Sequence, residues 1–105
     1  MPKIPADAVR VSPELGRLLG ATDADSKERR WIRDLAAVLL ENLFAGDQIQ
    51  RSRIPKHYRY AYAVTNLYRY QHPEGHRSCY TVVRRLALVI DLMTHKEYEK
   101  RFGYS

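Results

Sequence analysis

The run LALVIDL, residues 86–92, constrains this chain more than any other stretch. It is almost continuously apolar, as expected of a strand covered on both faces, since a half-buried strand would alternate. The residues before it supply the neighbouring strands. Residues 67–71, LYRYQ, alternate apolar or aromatic with polar side chains on a pattern that suits a pleated surface. His72-Pro73-Glu74-Gly75 then breaks the pattern with a proline that presets one φ and a glycine that tolerates a positive one. Residues 76–83, HRSCYTVV, are rich in β-branched and aromatic types, and Arg84-Arg85 is a second, charged turn. The expectation is a three-stranded antiparallel meander.

Ahead of it, residues 1–7 read as a flexible arm and residues 8–11, AVRV, as a short strand. Ser12-Pro13-Glu14 is a helix start, with a serine cap, proline at the first helical position and an acid in the first turn. Leu15, Leu18 and Leu19 give that helix an apolar side, and Gly20 is placed to end it. Asp25 or Ser26 caps a longer helix expected to run to about Ala45, with Gly46 as a left-handed stop. Ile32, Leu35, Ala36, Leu39, Leu40 and Leu43 form its apolar stripe, broadened by Trp31, Val38 and Phe44. Residues 47–57 read as a basic connector, where Pro55 argues against a central strand. Residues 58–66 place Tyr58, Tyr60, Tyr62 and Val64 on one face if extended, which suggests an edge strand. Residues 96–104 suggest a helical turn ended by Gly103.

A chain of 105 residues supports one domain and one core. No apolar run approaches the ~20 residues of a membrane span, and a single cysteine, Cys79, permits no internal disulfide. A cytoplasmic protein is expected, with no membrane partner. Charge is unevenly placed. Residues 1–48 carry 7 Lys/Arg against 8 Asp/Glu, a net −1, and residues 49–105 carry 11 against 4, a net +7. A basic half of this kind attracts polyanions, nucleic acid being the commonest, or an acidic protein surface. His72 and His76 lack the further ligands of a metal site, and no phosphate-cradling glycine loop or nucleophile elbow is present.

Three pieces of the second half carry a family resemblance: NLYRY at 66–70, GHRSCYTV at 75–82 and THKEYEKRF at 94–102. Together with the order strand, two helices, meander, they resemble the RelE/ParE superfamily of bacterial and archaeal toxin–antitoxin systems, and the last piece is similar to its HigB-like branch. The chain departs from the family in its longer lead-in at 58–65 and in a tyrosine three rather than five residues after the histidine. The resemblance implies an α+β, RelE-like fold: two N-terminal helices packed on a small antiparallel sheet of about four strands, with a short C-terminal helical turn. It implies a ribosome-dependent mRNA endonuclease without metal or cofactor, whose partners are mRNA, the ribosome with its rRNA, and a cognate antitoxin. ParE-like relatives act instead on DNA gyrase by protein binding, and an inactive RNA-binding relic of the fold is a third reading.

Cleaving RNA through its 2′-hydroxyl needs a proton acceptor, positive charge for the crowded phosphate and a proton for the leaving oxygen. Histidine fits the acid–base part near neutral pH, and His95 emerges just after the apolar strand. Arg77 starts the strand opposite Arg69, and a guanidinium fork suits phosphate. Tyr98 is a candidate to stack a base or assist the proton transfer. These four are the candidate catalytic residues. Arg51, Arg53, Lys56, Tyr70, Lys96, Lys100 and Arg101 are candidate RNA contacts. Eight tyrosines against two phenylalanines suggest that several hydroxyls reach solvent or RNA. Cys79 reads as a buried structural thiol.

Overall fold

The computed structural model describes residues 2–103. The chain is α+β, with five strands, β1 (Ala8–Val11), β2 (Asp47–Gln48), β3 (Tyr68–Gln71), β4 (Arg77–Val83) and β5 (Leu86–Met93). Among the described residues there are four α-helices: α1 (Pro13–Gly20), α2 (Lys27–Glu41) and α3 (Lys56–Tyr62) lie between strands, and α4 (His95–Phe102) follows β5. The strands make one sheet in the order β1-β5-β4-β3-β2. The meander β3-β4-β5 is antiparallel, as its turns require, but β1 pairs with β5 in parallel. The sheet is therefore mixed and five-stranded rather than antiparallel and about four-stranded. α1 and α2 carry the chain from β1 to β2 at the opposite edge of the sheet, and β5, last of the strands, comes back beside β1 in the same direction.

Both helix starts follow the sequence. Ser12 accepts the Leu15 amide at 3.1 Å and donates to the Ile90 carbonyl at 2.6 Å, so one hydroxyl caps α1 and fastens it to β5. Ser26 caps α2 by accepting the Arg29 amide at 3.2 Å. The far end of α2 differs from expectation. The helix stops at Glu41, because Asn42 turns to an extended conformation (φ −157°) and Asn42 Oδ1 accepts the amides of Ile4 and Phe44. Gly46 is required for a different reason than a left-handed stop: a Cβ there would lie 2.7 Å from the Arg69 carbonyl oxygen and 2.9 Å from the Tyr80 ring. α1 runs through Gly20 and is capped at Ala21 in right-handed helical geometry.

The segment expected as an edge strand is α3 over most of its length. Helical winding puts Tyr58 in the core and leaves Tyr60 82% exposed, where a strand would have set them on one face. Residues 4–7, expected as part of an arm, are tied down by Ala6 N–H to Leu39 O, Asp7 N–H to Arg85 O and Leu43 N–H to Ile4 O. Arg85 also donates to Pro5 O at 3.1 Å. Met1 of that arm and Tyr104 of the C-terminal turn lie outside the described residues.

Apolar side chains cover both sides of β5. On one side Leu15, Trp31, Ile32, Leu35, Leu39 and Leu43 meet Tyr68, Tyr80, Ala87, Val89 and Leu92. On the other, Ile54, Tyr58, Leu67, Cys79, Ile90, Met93 and Tyr98 pack together. A bulge separates the pairs Cys79↔Asp91 and Tyr80↔Val89, so Ile90 has no partner in the register. One inserted residue shifts the alternation, which lets Ile90 and Asp91 both serve the α3–α4 side.

Candidate functional site

β3 and β4 carry the site because their register sorts side chains by face. Arg69 pairs with Cys79 and Gln71 with Arg77, so both arginines stand on the face covered by α3 and α4. Arg77, first in β4, pairs with Met93, last in β5. Two residues further on, the chain has turned into α4 and His95 arrives beside Arg77. Thr94 fixes that turn: its hydroxyl accepts the Glu97 amide at 3.1 Å while Glu97 Oε1 accepts the Thr94 amide at 2.9 Å, a reciprocal cap.

Arg77 Nη1 lies 2.7 Å from His95 Nδ1, and His95 Nε2 lies 2.6 Å from Glu99 Oε1, one helical turn along α4. An arginine has only donors, so Nδ1 accepts. The Arg77 guanidinium stands 5.0 Å from the centre of the Tyr98 ring and that of Arg69 5.9 Å from it. Arg77 Nε is buried with no hydrogen-bond partner among the described residues. Arg69 is held at 3.1 Å by Asp47 on the edge strand β2, and this carboxylate strengthens its hold on its proton. Asp47, Gln48, Ile49, Gln50, Arg53, Arg69 and Tyr98 line a cleft of about 190 Å³. Arg77 and His95 are not among the residues that line it.

The other predicted residues are distributed differently. Tyr98 is only 1% exposed. Phe102 stacks on its ring at 4.3 Å and the two guanidiniums lie against it, so no face is left for a base. Its position is that of a platform for Arg69 and Arg77, through cation–π attraction worth about 0.5–2 kcal/mol per pair. Tyr70 is on the opposite face of β3, edge-on to His72 at 5.3 Å, away from both arginines. Arg53 reaches the cleft, whereas Arg51 lines a separate depression with Ile54, Arg59, Val64 and Thr65. Lys56 opens α3, and Lys96 and Lys100 are exposed on α4. Arg101 is committed to Asp91 at 3.3 Å and sits over the Tyr58 ring at 5.6 Å.

Three tyrosine hydroxyls have partners within the fold, two of them in the core and that of Tyr62 at the surface. Tyr58 donates to Asp91 at 2.7 Å, Tyr80 donates to Leu43 O at 2.7 Å and accepts from Gly46 N–H, and Tyr62 donates to Glu14. Burial pushes the Tyr80 hydroxyl up to about 12 and the Tyr58 hydroxyl higher still, so both stay neutral donors. Burial likewise pushes the Cys79 thiol up, which makes it inert. His72 is buried 6.0 Å from Trp31, with Nε2 at 2.6 Å from Ser78 Oγ. His76 packs on the same indole at 4.6 Å. Both histidines thus serve packing around Trp31.

Two further residues belong to the site, Asp47 and Glu99, each anchoring one of the candidate catalytic groups. Glu99 was readable: residues 94–97, Thr-His-Lys-Glu, spell a capping box, and a helix starting there sets His95 and Glu99 one turn apart. No helix among the described residues is long and apolar enough to cross a membrane. Comparison with protein-family models, with curated proteins and with solved structures finds no match.

Proposed function

We propose that the chain is the toxin of a type II toxin–antitoxin system of the RelE/HigB kind, a metal-independent, ribosome-associated mRNA endonuclease held silent by a separate antitoxin. The observation that carries this reading is the 2.7 Å contact between Arg77 and His95, with Arg69 gathered on the same Tyr98 ring. A fixed guanidinium against the imidazole, with a second one over the same tyrosine ring, supplies the positive charge that in-line attack of a 2′-oxygen on its own phosphate needs. Arg77 and Arg69 hold the phosphate oxygens as charge builds on them. His95 takes the 2′-hydroxyl proton, the 2′-oxygen bonds to phosphorus, the bond to the 5′-oxygen breaks, and water protonates that oxygen. The products are a 2′,3′-cyclic phosphate and a 5′-hydroxyl end.

Induction in cells followed by primer extension on a reporter mRNA tests this. Discrete new 5′ ends are expected, absent in Arg77→Ala and in His95→Ala variants whose circular dichroism matches the wild type. Intact mRNA, or cleavage retained by both variants, overturns the assignment. A ParE-like reading, with gyrase as the target and the basic face meeting an acidic protein surface, is favoured by one observation: both ring nitrogens of His95 are already engaged. It predicts inhibited DNA supercoiling with mRNA left whole. An RNA-binding relic predicts salt-sensitive binding and neither activity.

A further inference from the structure

We infer that Glu99 is a positioning residue of this site, holding His95 by its Nε2–H so that the Nδ1 lone pair faces the place where Arg77 receives a phosphate. The inference rests on the RNA-cleaving reading and adds to it a residue and an order of events.

Donors and acceptors can be counted around the ring. Arg77 Nη1 can only donate, so His95 Nδ1 at 2.7 Å presents its lone pair. A neutral imidazole has one N–H, which then falls on Nε2, and Glu99 Oε1 stands 2.6 Å from that nitrogen to accept it. A doubly protonated ring would aim Nδ1–H at a guanidinium N–H, donor against donor. The arrangement therefore fits a proton acceptor whose accepting atom is covered by Arg77.

RNA binding uncovers it. When a phosphate takes the Arg77 N–H groups, the Nδ1 lone pair loses its donor while the ring stays held through Nε2. The 2′-hydroxyl proton passes to Nδ1, the oxygen–phosphorus bond forms as the bond to the 5′-oxygen breaks, and the positive ring is balanced by the Glu99 carboxylate. Access is thus coupled to the substrate's own charge. The charged and titratable groups around the ring are Arg77 from β4; Glu99 and Lys96 from α4; beyond Tyr98, Arg69 with Asp47; and, from the turn at Gly75 that packs against His95, His76 and Glu74, whose carboxylate is paired with Lys27 at 3.0 Å. Lys96 neighbours His95 in the chain, and the Asp47 charge is already matched by Arg69, which leaves Glu99 as the carboxylate in contact with the imidazole.

Glu99→Gln tests this with little change of shape at a half-exposed helix position. The carboxamide keeps an acceptor but not the charge. Without RNA, the pH midpoint of the His95 Cε1–H proton resonance is expected to move to lower pH in Glu99→Gln. Adding inorganic phosphate to the wild type is expected to move that midpoint upward, and the same addition to Arg77→Ala is expected to leave it nearly still. With a reporter mRNA on ribosomes, Glu99→Gln is expected to slow the saturating cleavage rate roughly ten- to hundredfold, below the ~10²–10⁴ of a proton-transfer group itself. Half-saturation should hardly change, and the acid limb of the rate profile should move to lower pH.

An unmoved midpoint, or full cleavage with an unmoved acid limb, overturns the role of Glu99 and leaves the nuclease reading standing. A wild type that leaves RNA whole overturns the nuclease reading and takes this role with it.

Discussion

On the side of the sheet that carries α1 and α2, Tyr68 stacks on Tyr80 at 5.2 Å, Leu35 and Leu39 are fully buried, and His72 lies against Trp31. On the side that carries α3 and α4, the same two strands contribute Arg69 and Arg77, with His95, Glu99 and Asp47 arranged around them. Neighbouring residues of one strand therefore serve opposite purposes: Tyr68 and Tyr70 close a core, and Arg69 between them opens onto a cleft. Strand alternation does the sorting. The α3–α4 side still has a core of its own at Ile90, Met93 and Tyr98, and its polar groups sit at the margin of that core. Both sides therefore contribute to stability, while the cluster of Arg69, Arg77, His95 and Glu99 is confined to the α3–α4 side.

Leu35→Ala is the largest blow to the first side. Removing a fully buried leucine should cost about 2–5 kcal/mol, read as a lower urea midpoint, whereas Arg77→Ala should cost no more than ~1 kcal/mol. An Arg77 variant less stable than the Leu35 variant would break the comparison. His72 gives the next effect. Burial, aided by His76, pushes it down to about 4 from its ordinary 6.5, while Asp34 pulls weakly the other way. Above pH 6.5 both folded and unfolded chains hold it neutral and its contribution is complete. As pH falls from 6.5 towards 4 the unfolded chain takes up a proton that the fold refuses, so about 3 kcal/mol is lost across that window. Subtracting the pH–stability curve of His72→Gln from that of the wild type should isolate this slope, and a flat difference would refute it. Tyr80→Phe should cost about 1–3 kcal/mol, because Leu43 O and Gly46 N–H each lose their partner. Thermal unfolding measures it, and an unchanged transition would mean that water replaces the hydroxyl.

The sequence exposed these two sides unequally. Ser12 and Ser26 announce α1 and α2, and LALVIDL together with its two turns announces the meander, because local chemistry and tertiary need agree there. Residues 58–66 misled because tyrosines at every second position satisfy strand periodicity, while Tyr58 and Tyr62, four apart, equally satisfy a helix. Packing decided between them, since only a helix brings the Tyr58 hydroxyl to Asp91. The bulge at Ile90 leaves no mark in a run that is apolar throughout, and without it the facing of Asp91 cannot be deduced. Arg69 and Arg77 were legible through strand parity. The covering of the Tyr98 ring was not legible, because it depends on Phe102 stacking from the next turn of α4.

The smallest expected effect bears on where the basic side of the molecule ends. Lys96 is exposed on α4 next to His95, and Arg10 is exposed on β1 at the far edge of the sheet. Neither should matter for stability beyond ~0.5 kcal/mol when changed to alanine. Their effects on RNA should differ, because each phosphate that is no longer neutralised flattens the dependence of log affinity on log salt by ~0.7 for a single strand. Titrating a single-stranded RNA oligonucleotide at several salt concentrations should give Lys96→Ala a slope shallower by about that amount, with Arg10→Ala matching the wild type. The reverse result would place the phosphate track on the β1 edge, detach it from Arg77 and His95, and leave the two-sided division of the sheet without its functional meaning.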